Sequence, residues 1–216
     1  MHALFIVDGQ PIVRQGYVHI FGANSGFALV GATGSAREAR RAVPEADPDL
    51  TLLGLNLAEG SGLELIKDLH ARDPDHRMLV IAGHDEHLYA ERAVRAGALG
   101  YLEKRAPVES IREAARTVAT GRVYLSPTLN KELILRSARD GQAGTGAPVD
   151  VLSDRELEVY ELMGRGQTRR EMAQTLSLSP KTIDTHRGNI KEKLSIETNE
   201  ELRREATIWV ETHLSS

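Results

Sequence analysis

Five short runs of apolar residues, each followed by a helical pattern, constrain the fold of this chain of 216 residues more than any other feature. The runs are Ala3–Val7, Phe27–Thr33, Leu50–Leu55, Met78–Ala82 and Gly100–Leu102. The helical patterns that follow them span Pro11–Phe21, Ser35–Glu45, Gly62–Arg72, Glu86–Gly97 and Pro107–Thr120. Continuous apolar strands separated by helices are typical of a parallel sheet covered on both faces. The pattern predicts an α/β, doubly wound, flavodoxin-like (βα)5 domain with its site at the carboxyl ends of the strands.

A second feature lies in the stretch SLSPKTIDTHRGNIKEKL over residues 177–194. Ser179 is a favourable N-cap, and Pro180 stands at the first helical position, where its missing N–H costs nothing. One face of the predicted helix suits a core and carries Ile183, His186, Ile190 and Leu194. With a shorter helical pattern over Thr168–Leu176 before it, this basic and hydroxyl-rich helix indicates a helix-turn-helix. An amphipathic helical hairpin with a solvated polar face is the alternative.

Composition excludes several classes of protein. The chain has no cysteine, so it has no disulfide and no thiolate metal site. No apolar run approaches the roughly 20 residues of a membrane helix, and the amino-terminal MHALFIVD lacks the basic flank and cleavage site of a signal peptide. We therefore expect a soluble, cytoplasmic protein without a membrane partner. Residues 150–216 contain ten Lys and Arg against thirteen Asp and Glu, so a DNA-binding surface requires basic charges sorted onto one face.

These features divide the chain into three predicted parts. Residues 1–122 form the α/β domain, and residues 150–216 form a compact helical domain. Residues 123–149 contain a helical pattern over Ser126–Arg139 and the Gly- and Ala-rich stretch Asp140–Pro148, which predicts a flexible linker. The helices predicted for the last part are Ser153–Met163, Thr168–Leu176, Ser179–Leu194 and Asn199–Thr212. Capping boxes are predicted at Ser35-x-x-Glu38, Ser153-x-x-Glu156 and Thr168-x-x-Glu171.

This order of parts resembles the NarL/FixJ (LuxR-type) response regulators. The most specific match is the stretch LSDRELEVYELMGRGQTRREMAQTLSLSPKTIDTHRGNIKEKL over residues 152–194. In the first part the resemblance rests on the phrases IVDGQPIVRQG, DPDLTLLGLNLAEGSGLELI and AGALGYLEK. It covers nearly all of residues 3–212 apart from the linker. The resemblance implies a (βα)5 receiver domain followed by an all-α, four-helix LuxR-type helix-turn-helix domain.

Receivers of this family take a phosphoryl group on an aspartate at the end of the third strand. An acidic pair after the first strand helps to hold Mg²⁺, and a Thr or Ser after the fourth strand and a Lys after the fifth contact the phosphoryl oxygens. Here Gly54 stands at the acceptor position, Gly9 replaces one member of the acidic pair, and Ala82 replaces the hydroxyl residue. The pocket residues that remain are Asp8, Lys104 and, at the position of the switch aromatic, Tyr101. Because glycine has no side-chain oxygen on which an acyl phosphate can form, we expect a degenerate receiver without a cofactor or metal. The sequence shows no nucleophile–base pair, metal cluster or phosphate-binding Gly loop, so we do not expect an enzyme.

The remaining pocket has two open interpretations. Asp8 and Lys104 either form an ion pair in a filled pocket or belong to a site for a small ligand or another protein. Fewer neighbouring carboxylates mean less repulsion between like charges, so we expect the domain to hold one conformation without a ligand. Among the nearby acids, Asp47 and Asp49 precede the third strand at its wrong end, and Glu59, at the correct end, lies outside the acceptor position.

In the family, the third helix of the last domain enters the major groove of DNA. Positions that usually face base edges correspond to Asp184, Thr185 and Gly188. Positions near the phosphate backbone correspond to Lys181, Thr182, Arg187, Lys191 and Lys193. Asp184 departs from the family, which usually has Lys there, and Gly188 removes a side chain that could read a base. We therefore expect DNA binding that is weaker than usual or differently specific, and in which dimerisation matters more.

The resemblance as a whole implies a sequence-specific transcriptional regulator that binds promoter DNA as a homodimer. The missing acceptor predicts that this regulator acts independently of aspartyl phosphorylation. The alternative is an interaction protein that binds a partner regulator or a small ligand and binds DNA only weakly. Asp184 and the acidic balance of the last domain are the features that keep this alternative open.

Overall fold

The computed structural model of the chain describes residues 1–22, 25–83, 86–126, 129 and 148–213. Its contacts divide the chain into two compact units, Met1–Arg139 and Asp140–Ser216. The predicted helix over 126–139 and the predicted linker over 140–148 lie outside the described residues, except at positions 126, 129 and 148. Within the described part, no helix combines the length and the apolar character needed to cross a membrane.

The first unit is built on five parallel strands in the order β2-β1-β3-β6-β7. The strands described are β1 (His2–Val7), β2 (Phe27–Thr33), β3 (Leu50–Leu53), β4 (Asn56–Leu57), β5 (Gly60–Ser61), β6 (Met78–Ala82) and β7 (Gly100–Glu103). The helices described are α1 (Pro11–Ile20), α2 (Ala36–Ala46), α3 (Gly62–Arg72), α4 (Glu86–Ala96) and α5 (Val108–Ala119). Strands β4 and β5 form a separate antiparallel hairpin, which the sequence pattern did not predict. The predicted (βα)5 fold is confirmed.

Strands that are buried over most of their length build the core of this unit. Strands β3 and β6 are buried along their whole length, as expected for continuous apolar runs in a covered parallel sheet. Leu4 and Ile6, two residues apart on β1, lie in one apolar cluster with Tyr17 of α1 and Ile111 of α5. Helices α2, α3 and α4 pack side by side in chain order.

The register of the sheet brings the carboxyl ends of four strands to one edge. Val7 pairs with Leu53, and Leu53 pairs with Val80. On the far side of β6, Ala82 pairs with Glu103. The residues that follow these strands therefore lie near one another, at the edge where open parallel α/β sheets place their sites.

The predicted capping box at the start of α2 forms only in part. Ser35 Oγ accepts a hydrogen bond from the Glu38 amide at 3.2 Å, as an N-cap should. The Glu38 carboxylate accepts the hydroxyl of Thr33 instead of the Ser35 amide, and that amide donates to Thr33 Oγ1 at 3.2 Å. The prediction of a complete capping box is wrong here because Thr33, at the end of β2, comes between the two partners. It donates to the Glu38 carboxylate and accepts from the Ser35 amide, which would otherwise bond to each other.

The second unit contains a 3-10 turn (Pro148–Val151) and four helices, α6 (Asp154–Gly164), α7 (Arg169–Thr175), α8 (Pro180–Leu194) and α9 (Asn199–His213). Both capping boxes predicted for this unit, at the starts of α6 and α7, are complete. At the start of α8, Ser179 Oγ accepts a hydrogen bond from the Thr182 amide at 3.1 Å. The prediction of four helices for this part of the chain is confirmed.

The core of the second unit is formed mainly by α6, α8 and α9. Of the predicted core face of α8, Ile183 and Ile190 are fully buried, whereas His186 and Leu194 are partly exposed. Trp209 of α9 packs against Tyr160 of α6, with the ring centroids 5.7 Å apart. Because Trp209 is the single tryptophan of the chain, its fluorescence reports on this unit.

Candidate functional sites

The strand ends of the first unit bring the predicted receiver residues together. Asp8 follows β1, Gly54 follows β3, Ala82 ends β6 and Lys104 follows β7. The Gly54 amide donates to the Val7 carbonyl at 2.7 Å, and the Lys104 amide donates to the Ala82 carbonyl at 2.8 Å. Backbone hydrogen bonds therefore continue the sheet pairing past the strand ends and fix the positions of these residues.

Asp8 and Lys104 form an ion pair at this edge. Lys104 Nζ lies 2.7 Å from Asp8 Oδ2, without the angles of a well-aligned hydrogen bond, and it also donates to Gln10 Oε1 at 3.2 Å. Asp8 is only 1% exposed. Its Oδ1 accepts the Gln10 amide at 2.9 Å, and Arg14 donates to its carbonyl at 2.6 Å. The first of the two interpretations, an ion pair, is thus present in the structure.

A side chain at either glycine of the predicted pocket would require its neighbours to shift. A Cβ on Gly54 would lie 2.5 Å from Asp8 Oδ2. A Cβ on Gly9 would lie 2.3 Å from the backbone carbonyl oxygen of Asn56, in the short hairpin. Real Cβ atoms do not approach other atoms this closely, so the space that side chains at these positions would need is taken by the Asp8 carboxylate and by backbone.

Position 82 of the predicted pocket offers no hydroxyl group. Ala82 is buried and carries only a methyl group, and Tyr101 is fully buried. Burial raises the pKa of Tyr17, and the nearby Asp8 charge raises it further. Within the described residues, no group of three or more His, Asp or Glu side chains is placed to hold a metal ion. The chemistry present at this edge is that of one carboxylate neutralised by one ammonium group.

The acids near Gly54 in the sequence are held elsewhere. Glu59 accepts the Ser35 hydroxyl at 2.7 Å and pairs with Arg37 at 2.8 Å. Asp49 accepts the Ala3 amide at 2.7 Å, at the amino-terminal end of the strands, and Asp47 is the C-cap of α2. Each of these acids therefore has a local structural role. Glu59 and Asp49 act through their carboxylates, and Asp47 acts through its backbone.

In the second unit, α8 carries the residues predicted to face DNA. Lys181, Asp184, Thr185 and Gly188 are exposed on this helix. Thr182 Oγ1 lies 2.8 Å from Ser179 Oγ, and Thr185 Oγ1 donates to the Lys181 carbonyl at 3.1 Å. Both hydroxyls are therefore engaged within the helix and its cap, while the Lys181 side chain remains exposed.

Asp184 makes contacts that the sequence did not predict. Its Oδ2 accepts a hydrogen bond from Arg169 of α7 at 2.8 Å, and its Oδ1 lies 3.9 Å from Arg187 NH1 on the next turn of α8. Arg169 was not among the predicted site residues, because a helical pattern does not show which residues of a neighbouring helix lie against it. The Nε of Arg187 is buried and lacks a hydrogen bond within the described residues.

The two lysines at the end of α8 are partly committed to other contacts. Lys191 Nζ donates to the Glu197 carbonyl at 3.4 Å, and Lys193 Nζ donates to Glu156 Oε2 at 2.7 Å. Burial raises the pKa of Glu156, but hydrogen bonds from Lys193 and from Ser153 outweigh burial and lower the pKa overall. Lys193 thus supports the capping box of α6, a role distinct from its predicted place near the phosphate backbone.

Known proteins resemble the chain along most of its length. Residues 4–116 match the response regulator receiver domain, and residues 150–206 match the bacterial regulatory proteins of the luxR family. The transcriptional regulatory protein UhpA of Escherichia coli (strain K12) is 33% identical over 204 residues, which cover 94% of this chain and 97% of UhpA.

Two solved structures show the same architecture. A LuxR-family two-component response regulator from Aurantimonas sp. SI85-9A1 has a TM-score of 0.59 and 29% identity, and the match covers 64% of this chain and 99% of that chain. RcsB from Salmonella enterica serovar Typhimurium, bound to promoter P1flhDC, has a TM-score of 0.63 at 22% identity, with 95% of this chain and 98% of that chain covered. At 22% identity, the similarity to RcsB shows the fold alone.

Proposed function

We propose that this chain, which belongs to the response regulators with a luxR-family DNA-binding domain, regulates transcription without aspartyl phosphorylation of its receiver. Membership of the family makes it a DNA-binding transcriptional regulator. The observation that carries the proposal is Gly54 at the end of β3, where a side chain would collide with the Asp8 carboxylate. Without a side-chain oxygen at this position, the acyl phosphate of the family's switch has no atom on which to form.

The surroundings of Gly54 support the same proposal. Asp8 is already neutralised by Lys104 at 2.7 Å, and Ala82 has no hydroxyl to donate to a phosphoryl oxygen. One carboxylate is a poor site for Mg²⁺, which prefers octahedral coordination by several oxygens. The receiver would therefore keep one conformation without covalent modification and serve as a platform for dimerisation or for a partner protein.

DNA recognition in this proposal belongs to α8. Lys181, Arg187 and Lys191 position the helix on the phosphates, whereas Asp184, Thr185 and Gly188 face base edges. A solved structure of RcsB contains two dimers bound to two parallel DNAs, and we propose that this chain likewise binds promoter DNA as a homodimer. A two-fold dimer would read inverted half-sites about one helical turn apart.

Phosphorylation is tested by incubating the purified chain with acetyl phosphate and Mg²⁺ and measuring its intact mass. A response regulator with an aspartate at the acceptor position is the positive control. We expect the control to gain a phosphoryl group and this chain to keep its mass. A stable, hydroxylamine-sensitive phosphoryl adduct on this chain would contradict the proposal.

Promoter binding is tested by gel retardation across a range of salt concentrations. Replacing Lys181 or Lys191 with Ala should weaken binding to all sequences alike and lower the slope of log affinity against log salt by about one unit per lost contact. Arg41→Ala, an exposed change on α2 in the other unit, is the matched control and should leave the slope unchanged. Base-dependent effects would mean that these lysines read bases instead.

A second candidate function is an interaction protein that binds a partner regulator and binds DNA only weakly. It is favoured by the ion pairs of Asp184 with Arg169 and of Glu156 with Lys193, which neutralise two cations of this unit. Failure of the full chain to retard any promoter fragment at low salt, together with co-purification of another regulator, would favour this function over the first.

A further inference from the structure

Asp184 connects the two helices of the helix-turn-helix through charge. Its carboxylate accepts a hydrogen bond from Arg169 of α7 at 2.8 Å and lies 3.9 Å from Arg187 of α8. We propose that Asp184 is a specificity-determining residue, which selects a cytosine in the major groove and weakens binding to other sequences by neutralising Arg169 and Arg187. The inference rests on the proposed function, in which α8 enters the major groove.

The position of Asp184 suits contact with a base. It is the fifth residue of α8, in the amino-terminal part of the helix, which is the part that reaches base edges in helix-turn-helix proteins. Its side chain is 45% exposed. Oδ2 is engaged by Arg169, but the 3.9 Å from Oδ1 to Arg187 is too long for a hydrogen bond. Oδ1 therefore keeps lone pairs that a donor on DNA can use.

The chemistry of a carboxylate decides which base it prefers. An ionised carboxylate only accepts hydrogen bonds. In the major groove, guanine presents two acceptors and thymine presents an acceptor and a methyl group, whereas adenine presents a donor beside an acceptor. Cytosine presents its amino group, a donor, and so matches Oδ1 without placing a second acceptor against it. The preference follows from the residue type together with the free oxygen seen in the structure.

The same carboxylate reduces attraction to DNA in general. Non-specific binding depends on cations that neutralise phosphates and release counterions. While Arg169 and Arg187 lie beside Asp184, part of their charge is already balanced, and the carboxylate itself repels phosphate. Because an ion pair this exposed contributes little to stability, the carboxylate can be removed without loss of the fold.

The experiment is enrichment of a random-sequence duplex library by the full-length chain and by three variants. The wild type should enrich cytosine at one position of each half-site, with roughly tenfold discrimination. Asp184→Asn should move that preference to adenine, since an amide can pair with adenine N6 and N7. Asp184→Ala should lose the preference at that position. Glu192→Gln, which removes an exposed carboxylate from the same helix, is the matched control and should behave as the wild type.

A salt titration with mixed-sequence duplex DNA completes the test. Asp184→Ala should bind this DNA more tightly than the wild type. Its slope of log affinity against log salt should be steeper by about one unit for each arginine that reaches a phosphate. The inference fails, and the proposed function stands, if Asp184→Ala enriches the same bases as the wild type, whether or not its slope changes. If the wild type retains no duplex even at low salt, the proposed function fails as well. Trp209 fluorescence confirms that each variant is folded.

Discussion

Two carboxylate–cation pairs of nearly equal length lie in very different surroundings in the two units. Lys104 Nζ is 2.7 Å from the carboxylate of Asp8, and Arg169 NH1 is 2.8 Å from that of Asp184. Asp8 is 1% exposed, whereas the Asp184 side chain is 45% exposed. Separation alone therefore does not tell what an ion pair does, because the dielectric around it sets the cost of breaking it.

For the buried pair, each charge depends on the other. Removing water from Asp8 is costly, and the attraction of Lys104 offsets that cost only while both are present. The exposed pair lacks this mutual dependence because water solvates Asp184 when Arg169 leaves it. We therefore expect changes at Asp8 and Lys104 to alter the stability of the first unit, and changes at Asp184 to alter binding.

The largest effect is expected when the buried pair loses its cation. Lys104→Met should lower the free energy of unfolding of the first unit by about 3 kcal/mol, because it leaves the Asp8 charge buried without its partner. Urea unfolding followed by circular dichroism measures the change. The Trp209 fluorescence transition should stay where it is in the wild type, since Trp209 belongs to the second unit.

A double variant separates loss of charge pairing from loss of packing. Asp8→Asn combined with Lys104→Met removes both charges and should regain most of the lost stability, which gives a large coupling energy in a double-mutant cycle. Additive effects of the two substitutions would show that the ion pair is not the cause of the destabilisation.

A smaller loss of stability is expected when a carboxylate is restored at position 54. Gly54→Asp should destabilise the first unit by about 1–3 kcal/mol, since the new side chain overpacks the site and repels Asp8. It should gain no phosphoryl group from acetyl phosphate, because Gly9 and Ala82 still lack the other functional groups. Gly83→Asp is the matched control, as a Cβ there meets open space. Robust phosphorylation of Gly54→Asp alone would show that the acceptor was the only missing part.

Between the two extremes lies the pair of the buried Glu156 and the partly exposed Lys193. The pKa of Glu156 is lowered in the folded chain, so its ionised form stabilises the second unit above the unfolded pKa of about 4.3, and this contribution is lost as the pH falls through the folded pKa. Glu156→Gln should cost about 1 kcal/mol at neutral pH and should flatten the acid dependence of the Trp209 transition. An unchanged acid dependence would show that Glu156 titrates as it does in the unfolded chain. Glu192→Gln serves as the control.

The smallest effect on stability is expected at the exposed pair. Asp184→Ala should change the free energy of unfolding of the second unit by less than about 0.5 kcal/mol, because water replaces the lost contact. Thermal unfolding followed by Trp209 fluorescence measures it. A loss of unfolding free energy as large as that expected for Lys104→Met would contradict the distinction between the buried pair and the exposed pair.

Most of the secondary structure was predictable because its signals are local. Caps such as Ser153 and Ser179 and the apolar spacing within each element depend on residues a few positions apart, and the observed helices begin and end within two residues of their predicted bounds. The β4–β5 hairpin was missed because two-residue strands are too short to show a period. The domain boundaries near residues 122 and 150 stay predictions.

The candidate sites were predictable in residue type more than in contacts. The sequence indicated a pocket that keeps Asp8 and Lys104, and the sheet register brings these two together. It did not indicate that Lys193 meets Glu156, because a helical pattern shows which side chains share a face and not which neighbouring helix lies against them. Arg169 was missed as the partner of Asp184 for the same reason.

Residue types set which chemistry is possible, whatever the fold. A glycine at position 54 supplies no side-chain oxygen, and an ionised aspartate at position 184 supplies only acceptors. The tertiary structure alone decided how those residues are surrounded. It placed the Asn56 backbone against Gly9 and Lys104 against Asp8, and it left Asp184 in solvent between two arginines. The physical reason is that functional groups belong to residues, whereas burial and charge pairing arise when strand ends and helices distant in the chain are packed together.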